Sequence, residues 1–319
     1  MTHPSEADSL PLSIVAPVYR SDSIVPEYVR RTCEAAAAVT QNFELVLVED
    51  GSPDNSWPAI VRECERDPRV KGVQLSRNFG QQSAITAGLS HARGRHVLVM
   101  DADLQDDPIY IAALYAKALE GFDIVFARKR VRRFGLIRNL ATRFYYALFR
   151  WLASAEYDDN VGAYSILSRQ VVDAFLRFGD YRRGYVLVLN WLGFHRAFVV
   201  VEHRDRPAGS SSYSAFALFR HAVTISVAYS DKPLRLSIYF GLVLSAVSFL
   251  LGIWLGINYF RSNVGQLALG WTSIIISHLF LSGLLLTSLG VVGLYIGRIF
   301  EQVKHRPVFV VRDTRNVRS

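Results

Sequence analysis

Two cysteines in 319 residues leave little room for chemistry based on sulfur. Cys33 and Cys64 fall in segments patterned as helices, with no Cys-x-x-Cys and no Cys/His spacing nearby, so neither a disulfide framework nor a zinc site is expected. Also missing are a Gly-x-Gly-x-x-Gly turn and a Gly-x4-Gly-Lys-Ser/Thr loop, which argues against a dinucleotide oxidoreductase and a P-loop ATPase. Met1 to Leu10 is polar and acidic, without the apolar core of a secretory signal. No internal repeat and no low-complexity segment stands out. Acidic residues are absent from Arg128 to Arg150, where eight Lys or Arg occur. Charge of either sign is absent from Ile238 to Phe260 and again from Ser262 to Gly297.

The uncharged runs are long enough to matter, because a bilayer core takes about 20 apolar residues in helix. Each run can span once, the first over Ile238 to Phe260 and the second over Ile274 to Ile296; two buried core helices are the competing reading. Positive charge is concentrated before the first run and after Gly297, whereas the link between the runs carries only Arg261. The positive-inside rule then puts both termini in the cytoplasm and the link outside. The net charge of +8 reads as attraction to anionic lipid and phosphate ligands, since no nucleic-acid-binding motif accompanies it. Within the second run, His278 reads as an interhelical hydrogen bonder near Ser277 and Ser282.

The first 130 residues alternate short apolar runs with amphipathic stretches, the pattern of an α/β sheet with helices on both faces. Strands are expected at Leu12–Ala16, Phe43–Val48, Val70–Leu75, His96–Met100 and Asp123–Ala127, with helices near Ile24–Val39, Ser56–Arg66, Gln81–Ala92 and Ile109–Glu120. The fourth strand runs directly into Asp101-Ala-Asp-Leu-Gln-Asp-Asp-Pro108. An Asp-x-Asp at a strand end delivers two carboxylates to the carboxyl edge of the sheet, where open α/β folds bind ligands. A hard divalent cation held there by one or two carboxylates also takes phosphate oxygens, so the segment reads as a site for a metal and a pyrophosphate. A solvated acidic loop would carry the same residues; the strand before it favours a site. Pro17 and the turn Asp50-Gly51-Ser52-Pro53 fall just past other strand ends and are expected on the same edge.

Farther along, Leu136 to Leu152 sets Ile137, Leu140, Phe144, Leu148 and Trp151 on one helical face against Arg138, Arg143 and Arg150. A helix of this kind suits a membrane interface, and a core helix with one solvated face is the alternative. Ser214 to Ser230 is a weaker second candidate, with Pro233 marking the break before the first span.

Five ordered segments now stand out: Pro17-Val-Tyr19, Glu49-Asp-Gly-Ser52, Ser76-Arg-Asn-Phe-Gly80, Asp101 to Pro108, and Arg206-x-x-Gly209-x-Ser211-x-Tyr213. Together with the two apolar spans after them, they resemble the polyprenyl-phosphate glycosyltransferases of GT-A family 2, a group that includes dolichol-phosphate mannose synthase and bacterial undecaprenyl-phosphate glucosyl- and aminoarabinosyl-transferases. The resemblance runs over roughly residues 11 to 311. Departures from the family pattern are Glu49 for a frequent Asp, Asp107 and Ile109 after the Gln-Asp pair, and Ser212 for a frequent Lys.

The resemblance implies a GT-A (Rossmann-like) mixed-sheet domain over 1–134, an acceptor region with interfacial amphipathic helices over 135–234, two transmembrane helices over 235–298 and a basic cytoplasmic tail over 299–319. It implies Asp103, Asp106 and Arg206 as catalytic residues, and Pro17, Tyr19, Glu49, Asp50, Arg77, Asn78, Gly80 and Asp101 around the nucleotide sugar. Arg206, Ser211 and Ser212 would take the acceptor phosphate, joined by Arg128 and Arg130 on position alone. Mg²⁺ or Mn²⁺ would sit on Asp101, Asp103 and Gln105. The implied partners are a nucleotide sugar, a polyprenyl phosphate, membrane lipid and other copies of the chain, as in a tetramer through the transmembrane helices, but no nucleic acid. The implied place is the inner membrane, multi-pass, with the catalytic domain cytoplasmic. Two other functions stay open. A processive polysaccharide synthase is disfavoured by the missing Gln-x-x-Arg-Trp and the few spans, and a non-catalytic membrane scaffold by the intact Asp101, Asp103 and Gln105.

Overall fold

The computed structural model describes residues 10–130, 160–179, 184–202, 232–261 and 270–317. These fall into two compact units, a sheet domain closed by residues from 305 onward and a pair of long helices.

The sheet domain begins with β1 (Leu12–Val18), α1 (Val25–Ala37), β2 (Phe43–Glu49), α2 (Ser56–Arg66), β3 (Val70–Leu75), α3 (Gln81–His91) and β4 (His96–Val99). A 3-10 turn at Pro108–Tyr110 leads into α4 (Ile111–Leu119) and β5 (Ile124–Lys129). Farther along come β6 (Val161–Ser168), α5 (Arg169–Arg177), α6 (Tyr185–Leu192) and β7 (Arg196–Val201), and the last described strand is β8 (Val311–Arg315). The strand order is β7-β5-β6-β4-β1-β2-β3-β8. Strands β4, β1, β2 and β3 are mutually parallel, β6 and β8 enter antiparallel, and β7 lies parallel to β5. The GT-A-like α/β mixed sheet expected from the resemblance is therefore present.

Helices on both faces explain why the central strands are almost continuously apolar. In β2 every residue is buried, with Leu45 and Leu47 facing the core under α1, α2 and α4, and Val46 and Val48 facing the core under α3, α5 and α6. Helix α2 buries Ser56, Ala59, Ile60, Glu63 and Cys64, the three-and-four spacing of a single helical stripe. The first five strands and four helices lie within about two residues of the sequence expectation, α2 residue for residue. Three strands were not foreseen: β6 and β7 come from 135–234, read as acceptor region, and β8 from 299–319, read as a tail.

At the amino-terminal end of the parallel strands, buried Glu44 joins three elements. One carboxylate oxygen accepts the Ser13 hydroxyl at 2.5 Å and the Arg93 amide at 2.6 Å, and the other pairs with Lys71.

The second unit contains α7 (Lys232–Arg261) and α8 (Gly270–Val303), which contact each other. Both expected spans are helical. Among the described residues one stretch, Phe280–Val303 with mean hydropathy 1.8, is long and apolar enough to cross a membrane. This stretch lies later in the chain than the expected Ile274 to Ile296 and takes in Arg298 and Glu301. The expected interfacial helices at 136–152 and 214–230 lie outside the described residues.

Candidate active site

Parallel strands end on one edge, and here that edge carries a cleft of about 370 Å³. Of the residues expected around a ligand, Pro17, Tyr19, Asp50, Asn78, Gly80, Asp101 and Asp103 line it, supplied by the ends of β1, β2, β3 and β4. Ser21 and Gln81 line it as well and were not foreseen. The only sequence signal for Gln81 was its position opening a helix directly after Gly80.

Asp50 forms the floor of this arrangement. Its two carboxylate oxygens accept the backbone amides of Phe79 and Gly80 at 2.7 and 2.9 Å, so the turn after β2 holds the loop after β3. Burial raises the Asp50 pKa, and the two amides and the Arg77 charge oppose it. Gly51 makes the approach feasible, since a Cβ there would come within 2.2 Å of the Arg77 and Asn78 backbone, and its φ of +59° is in the region glycine favours. Arg77 is not among the lining residues, and its guanidinium lies 4.0 Å from the centre of the Phe79 ring.

Glu49 lies beneath the cleft, 1% exposed, with one oxygen accepting the Ser52 amide and the other, Oε2, buried. Burial raises its pKa, with the Ser52 amide and then the Gln74 side chain opposing. A carboxyl whose folded pKa is raised adds stability that is complete below its unfolded pKa and is lost as pH rises through the folded one. Glu49→Gln should therefore flatten the fall of unfolding free energy above about pH 4.5 and leave the protein more stable at pH 7, as read by denaturant titration at several pH values. Equal slopes for the two proteins would refute the assignment.

The turn after β1 is tied to the turn after β2 through Asp54. The Ser52 and Ser56 hydroxyls donate to Asp54 Oδ1 at 2.5 and 2.7 Å, and the Asp22 amide donates to Oδ2 at 3.3 Å. Partial burial acts upward on the carboxyl, but these donors hold its pKa at about 2.

The acidic loop comes after β4. Asp101 is half-buried, accepts the Gln81 side-chain amide at 2.6 Å, and is pushed up to about 6 by burial and then by the charges of Asp106 and Asp103. Asp103 Oδ1 accepts the Gln105 amide at 3.0 Å, closing a turn in which Leu104 takes a φ of +59°. That conformation is costly for a residue with a Cβ and concentrates at functional sites. Asp106 is buried off the cleft, with its Oδ2 3.4 Å from the Asp101 amide, and burial raises its pKa.

Among the described residues no three His, Cys, Asp or Glu side chains converge as a metal site. The pair at the cleft still suits a hard cation, because Mg²⁺ is usually held by one or two carboxylates and completes its shell with substrate phosphate and water. Burial is the main cause of the raised Asp101 pKa, and the charges of Asp106 and Asp103 that add to it are ones that a cation would offset.

Arg128 and Lys129 end β5, and Arg130 follows it. Arg128 lies over the Phe198 ring at 5.4 Å and Arg130 pairs with Glu202 at 3.6 Å, and neither lines the cleft. Lys129, between them, acts on Asp101 and Asp106 instead. Arg206, Ser211 and Ser212 lie outside the described residues.

The family model "Glycosyl transferase family 2" matches residues 13–179. An uncharacterized glycosyltransferase of Bacillus subtilis (strain 168), YkcC, is 32% identical over 96% of this chain and 95% of its own length. The bactoprenol glucosyl transferase of Shigella phage SfV is 31% identical over 95% of this chain and 99% of its own. Among solved structures, glucosyl-3-phosphoglycerate synthase from Mycobacterium tuberculosis in complex with UDP is similar at 16% identity and a TM-score of 0.49, over 70% of this chain and 81% of that one.

Proposed function

This chain belongs to glycosyl transferase family 2, and from that premise we propose that it moves a sugar from a nucleotide sugar to a polyprenyl phosphate, with inversion, at the cytoplasmic face of a membrane that it spans twice. The observation that carries the reading is the single cleft edge that unites the ends of four parallel strands, with Asp50 behind it and Asp101 and Asp103 at its mouth. Full-length likeness to a bactoprenol glucosyl transferase, long helices included, supports the lipid acceptor. The apolar stretch in α8 supports the membrane, with α7 as the second span.

In this reading the β1, β2 and β3 ends grip the nucleotide. Asp50 acts through its two amide bonds, which fix the Asn78–Gly80 wall, and Gln81 orients Asp101. Asp101 and Asp103, with Gln105, would hold Mg²⁺ or Mn²⁺, which supplies charge neutralisation at the departing nucleoside diphosphate. A phosphate oxygen of the lipid forms a bond to the anomeric carbon while the bond from that carbon to the diphosphate breaks, and the diphosphate leaves with the electron pair. The acceptor is already an anion at neutral pH, so no strong general base is required. Alignment and charge stabilisation remain for the protein to provide.

The experiment is a screen of UDP- and GDP-sugars against undecaprenyl and dolichyl phosphate, with and without Mn²⁺. A lipid-linked sugar that appears only with metal and lipid phosphate supports the reading. Hydrolysis of every donor without lipid product would overturn it. On the acceptor side, Arg206→Lys keeps the charge but loses the planar fork that binds phosphate bidentately. It should weaken use of the lipid while nucleotide affinity, measured by calorimetry, stays at wild-type level; the opposite split would move Arg206 to the donor.

A further inference from the structure

Strand β8 is joined to α8 by a short connection, residues 304–310, and pairs antiparallel with β3. The register sets Gly72 opposite Arg315, Val73 opposite Thr314 and Gln74 opposite Asp313, then shifts by a bulge before Leu75 meets Val311. At the next step the Ser76 amide donates to the Val310 carbonyl at 2.9 Å. Ser76 is where the chain leaves β3, and the residues after it are the wall of the cleft: Asn78 and Gly80 line it, and Phe79 and Gly80 give their amides to Asp50. Phe79 from this loop and Phe309 and Val311 from the carboxyl-terminal segment pack against the same buried cluster.

The other end of β8 is fastened far from the cleft. Asn316, at a φ of +56°, donates its side-chain amide to the carbonyls of Cys64 at 2.7 Å and Val70 at 2.9 Å, at the start of β3. The ladder is irregular one step before the loop departs: Arg312 is the extra residue of β8 opposite the Gln74–Leu75 step, and a bulge bends the strand that carries it, so β8 turns where it meets the exit of β3.

We infer that β8, the strand after the last long helix, is a positioning element of the nucleotide site: it sets the exit of β3 and with it the Asn78–Gly80 wall. The inference rests on the reading of the cleft as the donor site. Reciprocity is required of such a coupling, so nucleotide bound at the cleft must in turn steady β8.

The test uses the full-length protein in lipid nanodiscs, with UDP and GDP plus Mn²⁺ as probes. Phe309→Ala loosens β8 near the loop, and Asn316→Gly removes the distant anchor while tolerating the positive φ. Both should weaken nucleotide affinity about tenfold, the equivalent of roughly 1.4 kcal/mol. Amide exchange should accelerate in residues 76–80 in both variants, and nucleotide should slow exchange in residues 309–317 of the wild type. Phe309→Leu should restore affinity. Val29→Ala, a core truncation in α1 under the opposite face of the sheet, should lower stability without changing nucleotide affinity, which separates positioning from general destabilisation. Wild-type binding of UDP or GDP together with unchanged affinity and exchange in both β8 variants would overturn this inference alone. Failure of wild type to bind either nucleotide would overturn the donor-site reading, and β8 would then be an edge cover.

Discussion

Asp103→Asn is expected to lower turnover by a factor of about 10² or more at saturating metal, while the protein stays folded. The substitution is nearly isosteric, and the carbonyl of Asn can still accept the Gln105 amide that Asp103 Oδ1 accepts now at 3.0 Å. The loss is one of the two carboxylate charges at the mouth of the cleft. It should be felt where negative charge builds up on the departing diphosphate, so the fall should be in kcat and in kcat/KM alike. Chelation of divalent ions should reduce the wild type toward the rate of the variant and leave the variant almost unaffected. Turnover of Asp103→Asn within tenfold of wild type would remove Asp103 from the chemistry.

The second large effect concerns stability and lies at the opposite end of the strands. Glu44→Ala should cost about 3–5 kcal/mol, because breaking a buried ion pair leaves the remaining charge uncompensated. Lys71 would lose its partner with 15% of its side chain exposed, and the Ser13 hydroxyl and Arg93 amide would lose the acceptor they share. Glu44→Gln keeps an acceptor for these groups and should cost distinctly less. Denaturant unfolding monitored by near-ultraviolet dichroism measures both, and a loss below about 1 kcal/mol for Glu44→Ala would show that Lys71 reaches water unaided. Nucleotide affinity at low denaturant should be unchanged, since no residue of this network lines the cleft.

The central part of the fold was legible because its strands announce themselves. Val-rich runs such as Phe43–Glu49 are buried on both faces and end in turn residues, so their type and limits can be read from composition alone. Four parallel strands then put Pro17, Asp50 and Asp101 on a shared edge. The strands that were missed derive their structure from their neighbours. In β8 the sequence Val-Arg-Asp-Thr-Arg has no hydrophobic pattern, and it is a strand because the edge of β3 offers it a ladder. In β7 only Ala197 and Val201 are buried, as befits the outer edge of the sheet. Arg128 and Arg130, expected at the acceptor phosphate on position alone, lie over the Phe198 ring and beside Glu202, partners that their place in the sequence does not announce. Gln81 escaped notice because an uncharged residue at a helix start gives no signal until its partner, Asp101, is known to be 2.6 Å away.

The position of β8 in the chain also fixes an order of events during synthesis. The sheet reaches β3 by residue 75, but the residues that cover that edge are 311–315, made only after α7 and α8. At about 5–20 residues per second, the edge waits on the order of tens of seconds while the remaining strands of the sheet and then the two long helices are made. An exposed parallel edge is a template for wrong pairing, and Lys71, with its partner Glu44 on the neighbouring strand, is the only charged residue of β3 standing guard in that interval. The nascent catalytic domain is thus completed by the same stretch of chain that shows its helices have been made.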